Sequence, residues 1–280
     1  MVFVMKQVAS LRYGVIFKKA FSQPAIFTAF VQDFLGITLD IDRVETEKSF
    51  DPIIGKVDSR FDLFAQDKKN RLIVDIQHKR YNDHYDRFLH YHNVALLEQI
   101  SSSFDYKPNM NVYTIVVLTS GDKHKNDISI TDFRPQKLDG TRILETQHKI
   151  VYLCPKYVNE QTPEPYREWL LAINDSLDKE VEESDYHNEV IQEMFSLIEE
   201  DQISPKEYAR MKDEYSEEKY IQRKTKQATM EGKIKGKMEA KQAIALSMLN
   251  KAIDFNLITE ITGISIEKLQ QLKKENEQCQ

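Results

Sequence analysis

Two stretches of sequence, SRFDLFAQ at residues 59–66 and RLIVDIQHK at residues 71–79, decide the fold. Both are rich in apolar residues and contain no glycine or proline, and the four polar residues 67–70 between them have the composition of a short loop. This pattern predicts two antiparallel strands joined as a β-hairpin.

The register of this hairpin brings two acidic side chains together. A loop centred on residues 68–69 places Asp62 directly opposite Asp75. Like charges in a cross-strand pair are destabilising, so these carboxylates need a raised pKa or a cation between them. Mg²⁺ suits them because it takes oxygen ligands. Alternation along the strand puts Gln77 on the same face as Asp75, and the carbonyl of Ile76 between them is a candidate for a further oxygen ligand. The alternative is an ordinary hairpin face on which Asp and Gln meet water.

Composition and charge narrow the class of protein. The 280 residues suffice for one full-size domain and an appendage, and 41% hydrophobic with 30% charged residues is ordinary globular composition. The net charge of -6 hides a segregation: residues 175–201 carry eleven acids and one lysine, whereas residues 219–241 carry eight bases and two acids. Only the basic block can meet DNA phosphates favourably. Its candidate DNA contacts are Lys224, Lys233, Lys235 and Lys237.

Nothing in the sequence points to a membrane or to a disulfide framework. Cys154 and Cys279 are the two cysteines, residues 1–19 lack the apolar run of a signal peptide, and no window approaches the length of a membrane span. We therefore expect a cytoplasmic protein without a membrane partner.

Helices are predicted on both sides of the hairpin. Residues 11–35 have apolar positions at helical spacing around a break before Pro24, and they predict two core helices. Residues 37–44 alternate apolar and polar, which predicts a strand. Residues 80–100 predict a helix whose histidines match no zinc pattern. Its Arg80 and Arg87 share a face near the acidic hairpin, where they are candidates for contacts with DNA phosphates or with acids.

The remaining segments predict a sheet covered by helices and a helical C-terminal region. Residues 111–119 form a continuous apolar run, typical of a strand buried on both faces, and residues 149–154 predict a last strand. The fold class is α/β, with a mixed sheet flanked by helices. The predicted domains are a core at 1–160, an acidic helical segment packing on it at 161–203, a long basic helix at 204–250 and a small helical tail at 251–280.

The tail, at residues 259–272, predicts a helix, a turn at Gly263 and a second helix with Ser265 as its N-cap. A helix-turn-helix DNA reader and a simple pair of packed helices are both compatible with it. The packed pair is favoured, because the second helix offers few side chains for base contacts. The C-terminal helices are also where a homodimer would form.

The order of several short motifs resembles the recombination-promoting nuclease/transposase family of the PD-(D/E)XK nuclease superfamily. These motifs are FKKAF at 17–21, RFDL at 60–63, VDIQ at 74–77, a helix with Arg87 and Tyr91, EGKIKGK at 231–237 and LITEITGIS at 257–265. The resemblance spans nearly the whole chain. It implies a restriction-endonuclease-like core and cleavage of DNA phosphodiesters that depends on Mg²⁺, or on Mn²⁺ in its place.

The resemblance also implies roles for particular residues. Asp62 would take the place of the first metal-binding acid and Asp75 that of the second acid. Gln77 would hold the position where the superfamily has Lys and this family usually has Gln. Lys79 is a candidate for the missing positive charge. The chain departs from the family at Asp75, where Glu is commoner, and at Gly14, where relatives tend to place an acid before the Phe-Lys segment.

Three functions are therefore open. The first is a metal-dependent DNA endonuclease associated with recombination or mobile elements. The second is a catalytically degenerate nuclease fold that binds DNA or a partner protein, which the two departures would permit. The third is a helix-rich scaffold without a nucleic-acid role.

Overall fold

The computed structural model describes residues 5–50, 59–79, 83–100, 107–143 and 145–278, and it separates into two compact units after Glu214. The strands are β1 (Met5–Gln7), β2 (Glu45–Phe50), β3 (Ser59–Gln66), β4 (Asn70–Gln77), β5 (Asn111–Leu118), β6 (Ile128–Asp132), β7 (Lys149–Leu153) and β8 (Glu180–Glu182). The α-helices are α1 (Gly14–Phe21), α2 (Pro24–Leu35), α3 (His84–Leu97), α4 (Tyr166–Asp175), α5 (Glu189–Leu197), α6 (Pro205–Asn250), α7 (Phe255–Thr262) and α8 (Ile266–Gln278).

A mixed sheet forms the centre of the first unit, in the order β2-β3-β4-β5-β7-β6. The pairs β4-β5 and β5-β7 are parallel, and the other three pairs are antiparallel. β1 and β8 make a separate two-stranded ribbon. With helices on both faces of the sheet, the predicted α/β class with a mixed sheet is confirmed.

The hairpin of β3 and β4 forms as its loop predicts. Asp67 Oδ1 accepts the N–H groups of Lys69 and Asn70, both at 2.7 Å, and this local bonding closes the turn. The paired residues are Gln66 with Arg71, Ala65 with Leu72, Phe64 with Ile73 and Leu63 with Val74. The predicted register is therefore correct along the paired part of the hairpin.

Helices cover the two faces of the sheet unequally. α1, α2, α4 and α5 lie on one face, where Trp169 packs between Phe21 and Phe30 with ring centroids 6.1 and 5.2 Å away. α3 covers the other face. Side chains of β5 are buried on both faces, which explains why its sequence is a continuous apolar run. The two core helices were predicted correctly, and Gly36, with φ of 65°, ends α2 in the left-handed conformation that glycine favours.

The strand predicted at residues 37–44 is wrong. No residue of this segment belongs to a strand, and β2 begins only at Glu45. Leu39 is buried, and Ile37, Ile41 and Val44 pack against the core from an irregular segment. The alternation thus reports one buried side of an extended chain, which needs no partner strand.

The second unit, from Tyr215 onward, contains most of α6 together with α7 and α8. Its small core consists of Ala245, Ile258, Ile264 and Leu269. Gly263, with φ of 69°, ends α7, and Ser265 Oγ accepts the N–H of Lys268 as the predicted cap of α8. In the described part of the chain, none of the helices combines the length and the apolar character needed to cross a bilayer.

Candidate active site

The two acids of the hairpin meet where the backbone pairing of β3 and β4 stops. The paired residues end at Leu63 and Val74, one step before Asp62 and Asp75. Beyond that point the side chains take over the bonding. The N–H of Asp62 donates to Asp75 Oδ1 at 2.9 Å, and the N–H of Ile76 donates to Asp62 Oδ2 at 3.1 Å. The structure thus brings together the two carboxylates and the Ile76 backbone.

Burial makes this arrangement costly for two negative charges. Asp75 is only 4% exposed, and burial together with the neighbouring charge of Asp62 raises its pKa well above the ordinary value. Burial also raises the pKa of Asp62, against the opposing charge of Lys18. Within the described residues, Asp75 Oδ2 is buried without a hydrogen-bond partner. The site therefore calls for a proton or a cation.

Gln77 and Lys79 lie just beyond the acids along β4. Gln77 is buried, and its Nε2 donates to the backbone carbonyl of Lys79 at 2.7 Å, which fixes the orientation of the amide. The other amide atom, Oε1, has no hydrogen-bond partner among the described residues. Lys79 is half-buried after the end of the strand. The catalytic roles of both residues stay predictions.

Of the two arginines predicted to contact DNA, only Arg87 lies within the described residues. Arg87 is exposed on α3, and its positive charge lowers the pKa of Asp75, so it lies in the field of the acidic pair. Its guanidinium stands 5.2 Å from the ring centroid of Tyr91, and its Nε donates to the Tyr91 hydroxyl at 3.3 Å. Arg80 lies outside the described residues.

A lysine that sequence reasoning left in the core-packing motif belongs to the site. Lys18, in the last turn of α1, forms an ion pair with Glu47, and its Nζ is 3.6 Å from Asp62 Oδ1. Glu47 is also paired with Arg60. The FKKAF motif was the available signal. Its aromatic residues predict a core helix, and they give no indication that Lys18 contacts the hairpin.

A second carboxylate that the sequence did not reveal is that of Glu214. It accepts the N–H groups of Gly14 at 2.8 Å and Val15 at 3.1 Å, and so caps α1. An anion is favourable at a helix N-terminus, and burial raises the pKa of this carboxyl. Gly14 is one of the two departures from the family that the sequence predicts, and here a carboxylate reaches α1 from 200 residues along the chain. No local signal in the sequence predicts this contact.

The donor atoms at the hairpin fit a hard divalent cation. Among the described residues, no group of three His, Cys, Asp or Glu side chains is arranged to hold a metal ion. The buried Asp75 Oδ2 and Gln77 Oε1 lack partners there, and the Asp62 carboxylate, whose charge acts on Asp75, accepts the N–H of Ile76. These atoms are all oxygens, which Mg²⁺ and Mn²⁺ prefer, and such ions keep water as part of their ligand shell.

The lysines predicted to bind DNA lie in the second unit. They are Lys224, Lys233, Lys235 and Lys237, all exposed on α6. Lys235 forms an ion pair with Glu239 at 3.8 Å, and both side chains remain mostly in solvent. Exposed pairs of this kind contribute little to stability, so these positive charges are accessible to a phosphate backbone.

Comparison with known proteins gives two family matches. A family model described as PD-(D/E)XK nuclease family transposase matches residues 13–229, a span that includes α1, the hairpin and α3. A model described as Rpn/YhgA-like nuclease family, C-terminal HTH domain, matches residues 238–274, which include α7 and most of α8. This second match corrects the preference for a simple pair of packed helices. No curated protein matches the chain significantly.

Proposed function

Because the chain belongs to the PD-(D/E)XK nuclease family of transposases, we propose that it is a metal-dependent DNA endonuclease with Asp62 and Asp75 at its active site. The observation that carries this proposal is the buried Asp75 Oδ2, which lacks a hydrogen-bond partner among the described residues and lies beside a second carboxylate. Two neighbouring carboxylates, of which Asp75 is buried and Asp62 is partly exposed, favour either a proton or a cation between them.

The residues of the hairpin have different roles in phosphodiester hydrolysis. Asp62, Asp75 and the Ile76 carbonyl would hold Mg²⁺ or Mn²⁺, which activates water and neutralises charge at the phosphorus. Gln77, held by its bond to the Lys79 carbonyl, presents Oε1 to orient the attacking water. Water adds to phosphorus, one P–O ester bond breaks, and the leaving oxygen takes a proton from solvent.

Binding to DNA extends beyond the active site. The HTH match and the exposed lysines of α6 support a DNA contact made by the C-terminal unit, with Arg87 contributing near the acids. The family match supports a role in recombination or in mobile elements. A second function, DNA binding without cleavage, is supported by Asp75, which stands where Glu is commoner and has a side chain one methylene shorter.

The test is cleavage of supercoiled plasmid in Mg²⁺ and in Mn²⁺ by the intact protein, Asp62→Asn and Asp75→Asn. Even groups that only support a metal ligand are worth about 10–100-fold in activity, so we expect each substitution to slow nicking by more than about 100-fold. Asp132→Asn is the matched control. It removes a largely buried carboxylate paired with Arg134 on the edge strand β6, away from the hairpin.

Two outcomes would contradict the nuclease proposal. One is a hairpin variant, Asp62→Asn or Asp75→Asn, that cleaves as fast as Asp132→Asn, because the hairpin acids would then not be catalytic. The other is an intact protein that leaves the plasmid uncut with both metals. In that case, affinity for a short duplex that falls steeply with salt would support the DNA-binding function instead.

A further inference from the structure

Lys18 has a position that core packing does not require. Its side chain is 18% exposed and extends from the last turn of α1 to the hairpin, where Nζ contacts Glu47 and lies 3.6 Å from Asp62 Oδ1. Its charge also lowers the pKa of Asp75, so a single ammonium acts on both acids of the pair. A lysine ammonium has three donors, and these contacts engage at most two of them.

The other cations near the pair are placed differently. Lys79 meets Gln77 through its backbone carbonyl, past the end of β4. Arg87 acts on Asp75 at a distance, while its guanidinium stacks on Tyr91. Arg60 is paired with Glu47 and has a side chain that is 66% exposed. Among the described residues, Lys18 forms an ion pair directly with a hairpin acid, Asp62.

The backbone of Glu47 is a second, independent sign that this position matters. Glu47 has φ of 57°, a left-handed conformation that is uncommon for residues other than glycine, although its neighbours Thr46 and Lys48 pair normally with β3. Strained conformations of this kind persist where the surrounding structure imposes them, often at functional sites. Here the Glu47 carboxylate meets both Lys18 and Arg60.

We propose that Lys18 is the cation of the active site: it contacts a non-bridging oxygen of the scissile phosphate, and Glu47 holds it in place before DNA binds. This inference rests on the proposed nuclease function. A phosphodiester brought to the hairpin adds negative charge beside Asp62 and Asp75, and a fixed ammonium at that point stabilises it. Lys18 thus fills the role for which the sequence offered Lys79.

The chain supplies a matched control in the next residue. Lys19 lies in the same turn of α1, and its Nζ donates to the Gln202 carbonyl at 2.6 Å and to Glu207 at 3.2 Å, away from the hairpin. Lys18→Met and Lys19→Met therefore remove the same charge from the same helix. Removing one fixed donor from a transition state typically costs 100-fold or more. We expect Lys18→Met to slow plasmid cleavage by about 100-fold, and Lys19→Met to change it by less than about 3-fold.

Lys18→Arg and Lys79→Met complete the set of variants. An arginine at position 18 returns the charge, so we expect its cleavage rate to lie clearly above that of Lys18→Met. Thermal unfolding of each variant identifies those that do not fold. If Lys18→Met cleaves like Lys19→Met, or if Lys79→Met alone loses cleavage, the assignment of Lys18 is wrong.

DNA affinity in EDTA gives a readout that does not depend on cleavage. A phosphate contact adds about one to the slope of log affinity against log salt concentration. We expect Lys18→Met to lower that slope by about one and Lys19→Met to leave it unchanged, which a purely structural role would not produce. If the intact protein fails to cleave, the nuclease function is wrong, and equal slopes in the two variants would separately exclude a phosphate contact by Lys18.

Discussion

Two pairs of like titratable groups lie against the same sheet, and their pKa values are shifted in opposite directions. At the hairpin, Asp62 and Asp75 are held together with raised pKa values. On α3, His92 is 1% exposed and lies 6.3 Å from the ring of His148. Burial, with the charge of His148 added, lowers the pKa of His92 to about 3, and burial lowers that of His148.

The two histidines do not repel each other because both remain neutral. His92 Nδ1 is bonded to the Thr114 hydroxyl at 2.9 Å, and His148 Nδ1 accepts the N–H of Val112 at 2.9 Å. Phe133 stacks on His92 with 5.0 Å between centroids. Neutral imidazoles are the ordinary state at pH 7, whereas neutral carboxyls are not. Burial of titratable groups therefore does not indicate a functional site by itself. A functional site is indicated when the buried groups are of a type that is ordinarily charged at physiological pH.

Acid unfolding should show the largest difference between the clusters. The unfolded state protonates a histidine near pH 6.5, whereas folded His92 resists until about pH 3, so stability falls as the pH drops below 6.5. Between pH 7 and 5 this costs about 2 kcal/mol, from 1.36 kcal/mol per pKa unit. The carboxyls act in the opposite sense, because their raised pKa means that the folded state binds protons more readily and gains stability on acidification.

The variant His92→Asn isolates the histidine contribution, since the amide retains a partner for Thr114 and cannot titrate. Urea unfolding at pH 7 and pH 5 should show this variant losing about 2 kcal/mol less than the intact protein. Equal losses would mean that His92 titrates normally in the folded protein. Plasmid cleavage at pH 7 should be unchanged in the variant, because His92 contacts none of the hairpin acids.

Sequence reasoning located the acid cluster better than its surroundings. The hairpin, its register and the two core helices follow from local patterns, because apolar alternation and helical spacing report which side chains are buried. The loop position alone placed Asp62 beside Asp75. Contacts between distant segments gave no such signal. Glu214 reaches Gly14 across 200 residues, and β1 and β8 are three residues each and largely polar.

Other expectations failed where one pattern fits two structures. The alternation of residues 37–44 suits a strand and equally an extended segment lying on the core. Lys18 sits in a motif dominated by phenylalanines, so its helical face is clear from the sequence but its contact with Asp62 is not. The positive φ of Glu47, which accompanies that contact, could not be predicted from the sequence, because the residue is neither glycine nor asparagine.

Binding of a divalent metal should stabilise the acid cluster and not the histidine cluster. At a Mg²⁺ concentration ten times the dissociation constant, linkage gives about 1.4 kcal/mol of added stability. Urea unfolding with and without Mg²⁺ should show this gain in the intact protein and in His92→Asn, but not in Asp75→Asn. A gain that persists in Asp75→Asn would place the metal elsewhere.

The smallest expected effect is on the stability of the protein in the absence of metal. It tests whether the acid pair then destabilises the folded state. Asp75→Asn keeps an oxygen to accept the Asp62 N–H and removes the group whose ionisation burial opposes. In EDTA at pH 7 we expect the free energy of unfolding to rise by on the order of 1 kcal/mol, the usual scale for a single substitution.

The change should shrink as the pH falls, because the raised pKa values favour protonation of both carboxyls in the folded state and a protonated Asp resembles Asn. Asp132→Asn provides the opposite control. The Asp132 carboxylate has its pKa lowered to about 2, chiefly by its hydrogen bond with Arg134, so its loss should destabilise the protein at pH 7. If Asp75→Asn is also destabilising in EDTA, the folded protein already neutralises the pair without metal, and Lys18 would then be the group that does so.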